Sequence, residues 1–227
     1  MNKEEILDVI CDIYEQERID EFGFDSKKLC NSLEINLIPY TSFEDYFNQL
    51  VKFDEDGFSY LNSQNSKPEI CYNDKINPVD RVKFTIPHEL GHICLGHLCY
   101  LHKETLTEKR EADIFANELY CPQAFMIHYK LLTVSDLISN FGITRGYAQI
   151  LLEKLKKRRD KRLSINENRL IEIFEKNKLI KKTPIKNERS SRYVKYHDLD
   201  NCDFNIKVMI LSNTIKGRTL RKEMKSL

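Results

Sequence analysis

Three histidines, a glutamate and a cysteine fall within twelve residues in the stretch Ile86 to His97, IPHELGHICLGH. His88-Glu89-Leu90-Gly91-His92 has the spacing HExxH. Residues i and i+4 of a helix are stacked neighbours on one face, so two imidazoles at that spacing converge on one ion. Glu89 is turned about 100° from His88 around the helix axis. It therefore stands beside the ion without binding it, where it can take a proton from water activated at the metal. The chemistry is metal-assisted hydrolysis, with zinc as the expected ion. The bland alternative is two unrelated helix histidines. With six histidines in the chain, a chance HExxH is an event on the order of one in a hundred.

A catalytic zinc takes three protein ligands and keeps one position open. His97 lies near the opposite side of any continuing helix. The longer signature HExxHxxGxxH needs Gly and His where this chain has Leu95 and Leu98. Cys94 is about 200° from His92, and Cys99 shares the His92 face but lies roughly 10 Å along the axis. Both read as buried thiols. The following helix offers Glu104, Glu108, Glu111 and Glu118. Thr105 and Glu108 form a T-x-x-E capping box, which occupies Glu108. Glu118 lies three turns in. Glu111 borders an apolar stripe and can therefore face the first helix. His97, His102 and Tyr120 are candidates to stabilise an oxyanion, with no choice made among them. Asp113 is a candidate to orient a histidine ligand through its second ring nitrogen.

The elements that must position these residues can be read from periodicity. Ile6, Ile10, Ile13 and Tyr14 mark an amphipathic opening helix. DSKKLCNSLEI predicts a second helix capped by Asp25 or Ser26, INLIPY a short strand, and FEDYFNQLVKF a helix. GFSYLN and PEICYND predict two short strands in a hairpin, the second offering an edge for an extended peptide. The HExxH helix is expected to start near Thr85, which keeps Pro87 in its first turn. Ala112, Phe115, Ala116 and Leu119 form the stripe of the next helix, ended by Pro122. Further on, Ser135 is expected to cap a short helix, FGIT to turn, and Thr144 to cap a second helix, a spacing similar to a helix-turn-helix. ENRLIEIFEKN predicts one more helix and NIKVMIL a strand.

The expected fold class is α+β. A small zincin-like metallopeptidase domain, with a short β-sheet and the HExxH helix, spans 1–130. A helix-turn-helix-like segment spans 131–163, and 164–227 is a basic region of unassigned architecture. Hydrophobic residues make up 41% and charged residues 31% of the 227, the balance of an ordinary globular protein. No apolar run approaches the ~20 residues of a membrane span, and no signal-peptide core opens the chain. A cytoplasmic protein with no membrane partner is expected. Seven cysteines without a CxxC pair fit a reducing compartment. Charge is unevenly placed: residues 1–152 carry 14 Lys/Arg against 25 Asp/Glu, and residues 153–227 carry 22 against 10. The two parts attract each other or serve different partners.

FTIPHELGHICLGH followed by EADIFANELYCP resembles the ImmA/IrrE family of zinc metallopeptidases. The family pattern joins a strand, a T-x-x-HE-x-GH-x-x-x-x-H helix and an E-A-[ND]-x-F-A-x-x-L-x-x-P helix. The likeness runs from about Tyr72 to Pro122, with weaker similarity through the helices around FGIT. By this resemblance His88 and His92 bind Zn2+, Glu111 is the third ligand and Glu89 is the catalytic base. Tyr120-Cys121 departs from the Leu or Met usual before the final proline, without touching the metal set. The resemblance implies a protein substrate, a helix-turn-helix transcriptional repressor encoded beside such proteases in prophages, mobile elements or stress operons, whose cleavage relieves repression. The alternative is a DNA-binding regulator with a structural or vestigial zinc site, for which Arg145, Tyr147 and Gln149 would face bases. Nucleic acid is the less favoured partner.

Overall fold

The computed structural model describes residues 1–62, 67–77, 81–98, 104–158 and 162–182. His102, the expected NIKVMIL strand and part of the basic run after residue 153 lie outside them. Helices α1 (Lys3–Gln16) and α2 (Ser26–Ser32) precede strand β1 (Asn36–Pro39). Helix α3 (Phe47–Phe53) then leads to β2 (Gly57–Leu61) and β3 (Pro68–Tyr72). Helices α4 (Val82–Cys94), α5 (Leu106–Tyr120), α6 (Gln123–His128), α7 (Val134–Phe141), α8 (Arg145–Lys157) and α9 (Ile165–Lys182) follow. The fold is mixed α+β with a small sheet. No described helix is long and apolar enough to cross a membrane.

The described residues fall into two compact units, with the boundary inside α5. The unit Ser26–Ala112 carries the sheet. Strand order is β1-β3-β2, with β1 parallel and β2 antiparallel to β3. The expected hairpin is present, pairing Gly57 with Tyr72 and Leu61 with Pro68. β3 is the central strand and is hydrogen-bonded on both sides, so PEICYND offers no free edge. Among the described residues the free edges are those of β1 and β2. Alternation along β2 divides its side chains. Phe58 and Tyr60 enter a core with Ile38, Tyr40, Phe43, Leu50 and Cys71, against which Tyr46, Phe47, Val51 and Phe53 pack. Gly57 and Ser59 point the other way, toward α4, which packs on β2 and β3.

α4 begins at Val82, not near Thr85, so Pro87 sits in the helix interior. Proline there removes one i to i−4 hydrogen bond, a loss of about 3 kcal/mol or more in an isolated helix. Burial of Ile86, Leu90 and Ile93 against the sheet unit compensates. At the head of α5 the expected capping box is formed: the Thr105 amide donates to Glu108 Oε2 at 2.7 Å, and the Glu108 amide donates to Thr105 Oγ1 at 3.2 Å.

The other unit joins Met1–Asp25 to the chain from Asp113 onward. α1 packs along α9, and Arg169 on α9 reaches Asp12 on α1 at 2.7 Å. The core is aromatic: Phe125 and Phe174 lie 4.5 Å apart by ring centroids, with Phe22 stacked on Phe174 at 5.1 Å. The Asn177 amide group donates to the carbonyls of Tyr14 and Ile19, closing the end of α1. α7 is capped by Thr133, whose side chain and Asp136 form a capping box, and not by Ser135. A threonine two positions earlier makes the reciprocal pair with Asp136, which Ser135 cannot. Thr144 caps α8 as expected.

Candidate metal centre

α4 presents His88 and His92 on one face, with their Nε2 atoms 3.2 Å apart. Glu104, two residues before α5, brings Oε1 to 3.0 Å from His92 Nε2. The three donor atoms all lie within 4.8 Å of one another. Zinc–ligand distances of about 2.0–2.1 Å place adjacent atoms of a tetrahedral shell about 3.3–3.4 Å apart. The observed separations are close to that edge, and two imidazoles with a carboxylate are a zinc-type donor set. A hydrogen bond between two histidines accounts for their contact alone, and not for the converging carboxylate.

A second chain of contacts runs behind His92. His97 Nδ1 lies 3.2 Å from His92 Nδ1, and His97 Nε2 lies 3.0 Å from Glu111 Oε2. These contacts define one consistent set of tautomers. With His92 offering Nε2 to an ion, its Nδ1–H donates to His97 Nδ1, and His97 Nε2–H donates to the Glu111 carboxylate. Burial holds the His97 imidazole below its ordinary pKa and the neighbouring His92 acts in the same sense, against the hydrogen bond to Glu111. A neutral His97 is what the relay requires. Of the oxyanion candidates, His97 thus spends both ring nitrogens on His92 and Glu111.

Glu89, one residue along from His88, turns to the sheet. Its Oε2 accepts from Ser59 Oγ at 2.8 Å, and both residues are buried. The approach is close because Gly57 carries no side chain: a Cβ there would lie 2.9 Å from Thr85 Cγ2 and 2.8 Å from the Cys71 carbonyl oxygen. Thr85 is one helical turn before Glu89, so the same face of α4 meets β2 at two successive contacts.

The structure thus brings His88, His92, Glu104, His97, Glu111 and Glu89 into one neighbourhood of the sheet unit. Glu111 is buried and held by His97; the carboxylate found beside the paired Nε2 atoms is Glu104. Glu104 was legible only as one of four acidic residues following the HExxH helix, with nothing in spacing to single it out. Asp113 and Tyr120 belong to the other unit. Asp113 is half-buried, its carbonyl accepting from Asn117, and the buried Tyr120 packs its ring edge-on to Phe24. Glu118 forms a 2.8 Å ion pair with Lys3. Cys94 is a core thiol as expected, pushed well above its ordinary pKa by burial.

The family model for the IrrE N-terminal-like domain, Peptidase_M78, matches residues 41–153. The match contains β2, β3, α4 and α5 and continues through α7 into α8. No curated protein and no solved structure matches the chain.

Proposed function

Residues 41–153 belong to this peptidase family, and from that premise we propose that the chain is a zinc-dependent endopeptidase acting on a protein substrate. The observation that carries the reading is the convergence of His88 Nε2, His92 Nε2 and a carboxylate oxygen beside the buried Glu89. A zinc ion held there supplies the Lewis acid that polarises a scissile carbonyl and acidifies water. Glu89 accepts the proton of the attacking water and delivers it to the leaving amine. His97 and Glu111 fix the tautomer and ring plane of His92. An extended peptide would align along β2, an edge strand of the sheet and the one that carries Ser59 toward Glu89.

His88 and His92 are ligands in either of two readings of the third position. The family pattern points to Glu111, and the present geometry to Glu104. Metal affinities of the E104Q and E111Q variants separate them, as developed below.

The proposed substrate is a helix-turn-helix repressor whose cleavage relieves repression of a mobile element, prophage or stress operon, in the cytoplasm. The alternative is a DNA-binding regulator that reads through α7 and α8. Two observations weigh against it. The family match runs through this helix pair, and Tyr147, one of three expected base-facing residues, donates its hydroxyl to Asn117 Oδ1 at 2.7 Å. The test is incubation of the zinc-loaded protein with the repressor encoded next to it. A single cut is expected, lost in Glu89→Gln at undiminished zinc content. Cutting by the Gln variant at the wild-type rate, or salt-steep DNA binding without any cut, overturns the reading.

A further inference from the structure

We infer that Ser59 is a positioning residue for the catalytic carboxylate: its hydroxyl holds Glu89 Oε2 and leaves Oε1 to meet the water that Glu89 deprotonates. The inference rests on the metallopeptidase reading above, since it gives Glu89 its task. Four observations carry it. Ser59 Oγ lies 2.8 Å from Glu89 Oε2. Both side chains are buried, at 5% and 6% exposure, so solvent does not substitute for the bond. Ser59 is the middle residue of β2, pinned to β3 opposite Ile70. One rung away, Gly57 opens the space that lets Thr85 of the same helix face close on the strand.

The geometry explains why a hydroxyl suits this position. A carboxylate on a flexible three-bond stem has rotamers that turn its oxygens away from the ion. A short hydrogen bond from a rigid strand removes that freedom before substrate arrives, as preorganisation requires. Ser59 also tolerates the whole proton cycle. When Oε1 takes the proton from water, the new O–H bond is on the oxygen Ser59 does not touch, and Oε2 remains an acceptor. When that proton leaves for the amine, the carboxylate returns to its first state. Ser59 keeps its own proton throughout, so atoms and charge balance on Glu89 alone. A lysine or arginine would neutralise the base, and an alanine would leave a buried carboxylate without this donor.

Acetohydroxamic acid provides a probe that needs no identified substrate. Its two oxygens chelate a metal ion and it carries an acidic proton that an oriented carboxylate accepts. Zinc affinity and acetohydroxamate affinity would be measured by titration calorimetry on the full chain for wild type, S59A, S59T and E89Q. Removing the positioning bond is expected to weaken acetohydroxamate about tenfold or more in S59A, with zinc affinity within about twofold of wild type. E89Q is expected to weaken it at least as much, and S59T, which keeps the hydroxyl, to restore binding to within about threefold. With the cognate repressor, S59A should lower kcat by about tenfold to a hundredfold and leave KM nearly unchanged. Unchanged acetohydroxamate binding in S59A beside a weakened E89Q overturns the positioning role and leaves the hydrolase reading intact. Unchanged binding in both variants overturns the base assignment as well. A loss of zinc in S59A shows a structural role and also overturns the inference.

Discussion

Gly57→Ala is the perturbation that most directly tests how the HExxH helix α4 is seated. The new Cβ would lie 2.8 Å from the Cys71 carbonyl oxygen, 2.9 Å from Thr85 Cγ2 and 3.3 Å from Tyr72 Cα. Carbon pairs are at their optimum about 3.5–4.0 Å apart, so the methyl overlaps Thr85 by more than half an ångström. Neither neighbour yields easily. Cys71 belongs to the central strand, paired on both sides. The Thr85 rotamer is fixed by its hydroxyl, which donates to the Arg81 carbonyl at 3.1 Å. Overpacking of this kind costs about 1–3 kcal/mol, against which Gly to Ala regains about 0.4–1 kcal/mol from the unfolded chain. The net expectation is a loss of about 1–2 kcal/mol, read as a urea midpoint lowered by about 0.5–1 M at unchanged slope. Thr85→Ser deletes the clashing methyl and keeps the hydroxyl. The double variant G57A/T85S should therefore recover about 0.5–1 kcal/mol relative to additivity. Because Glu89 follows Thr85 by one turn, G57A should also cut activity by more than its lost stability explains. A G57A protein as stable as wild type, or a strictly additive double variant, would refute the claim that this glycine exists to seat the helix.

Zinc affinity should fall steeply, by more than a hundredfold, in His92→Ala and in whichever of E104Q and E111Q removes a true ligand; the other Gln variant, acting only through orientation, should lose about 10–100-fold. Competition titration with a chelator ranks them, and equal losses would dissolve the distinction. Burial raises the thiol pKa of Cys11 to about 12 and those of Cys71, Cys94 and Cys121 further. An aromatic disulfide reagent at pH 8 should therefore leave all four unlabelled until urea unfolds the protein, and rapid native labelling of any would contradict their burial. Glu167→Gln should destabilise the chain by about 3 kcal/mol near neutral pH, because it strips a paired acceptor from Arg158. Burial alone would raise the Glu167 carboxyl, but Arg158, the Ser164 amide and Lys3 outweigh it and hold it below its ordinary 4.5. A depressed folded pKa means that this stability is present above 4.5 and is lost as pH falls through the lower folded value. The gap between wild type and E167Q in urea unfolding should close in that window, and a gap independent of pH would refute the pairing.

What could be read from sequence was whatever a local spacing determines. HExxH is complete within five residues, and helix spacing alone places His88 and His92 on one face, where their Nε2 atoms lie 3.2 Å apart. The Thr105–Glu108 box and the β2–β3 hairpin are equally short-range, and both are present. The misplaced start of α4 arose because the penalty for Pro87 is local while the burial that offsets it is tertiary. The α7 cap was displaced because Ser135 and Thr133 are both plausible until the reciprocal bond to Asp136 is seen. The packing of α1 on α9 joins residues about 160 positions apart, beyond any periodic pattern. Glu104 has no local mark: Glu111 borders the apolar stripe of α5, whereas the nearness of Glu104 to His92 depends on what the fold brings together.

Ser59 shows how a functional contact can be determined by two periodicities that are each legible while their register is not. Two residues of a strand advance about 6.6–6.8 Å, and four residues of a helix about 6.0 Å. A helix laid along a strand can therefore hold two rungs in contact with a mismatch of less than about 1 Å, and it drifts out of step at the third. Gly57 with Thr85 and Ser59 with Glu89 are such a pair of rungs. The first has to be the smallest residue, because it sets the distance; the second has to be polar, because it meets the carboxylate. A one-residue slip of α4 against β2 would rotate Glu89 by about 100° away from Ser59 and carry both histidines with it. The same two contacts therefore fix the height of the helix above the sheet and the rotation of the face that carries Glu89. That is why the glycine is expected to matter for activity at a position where it touches neither metal nor substrate.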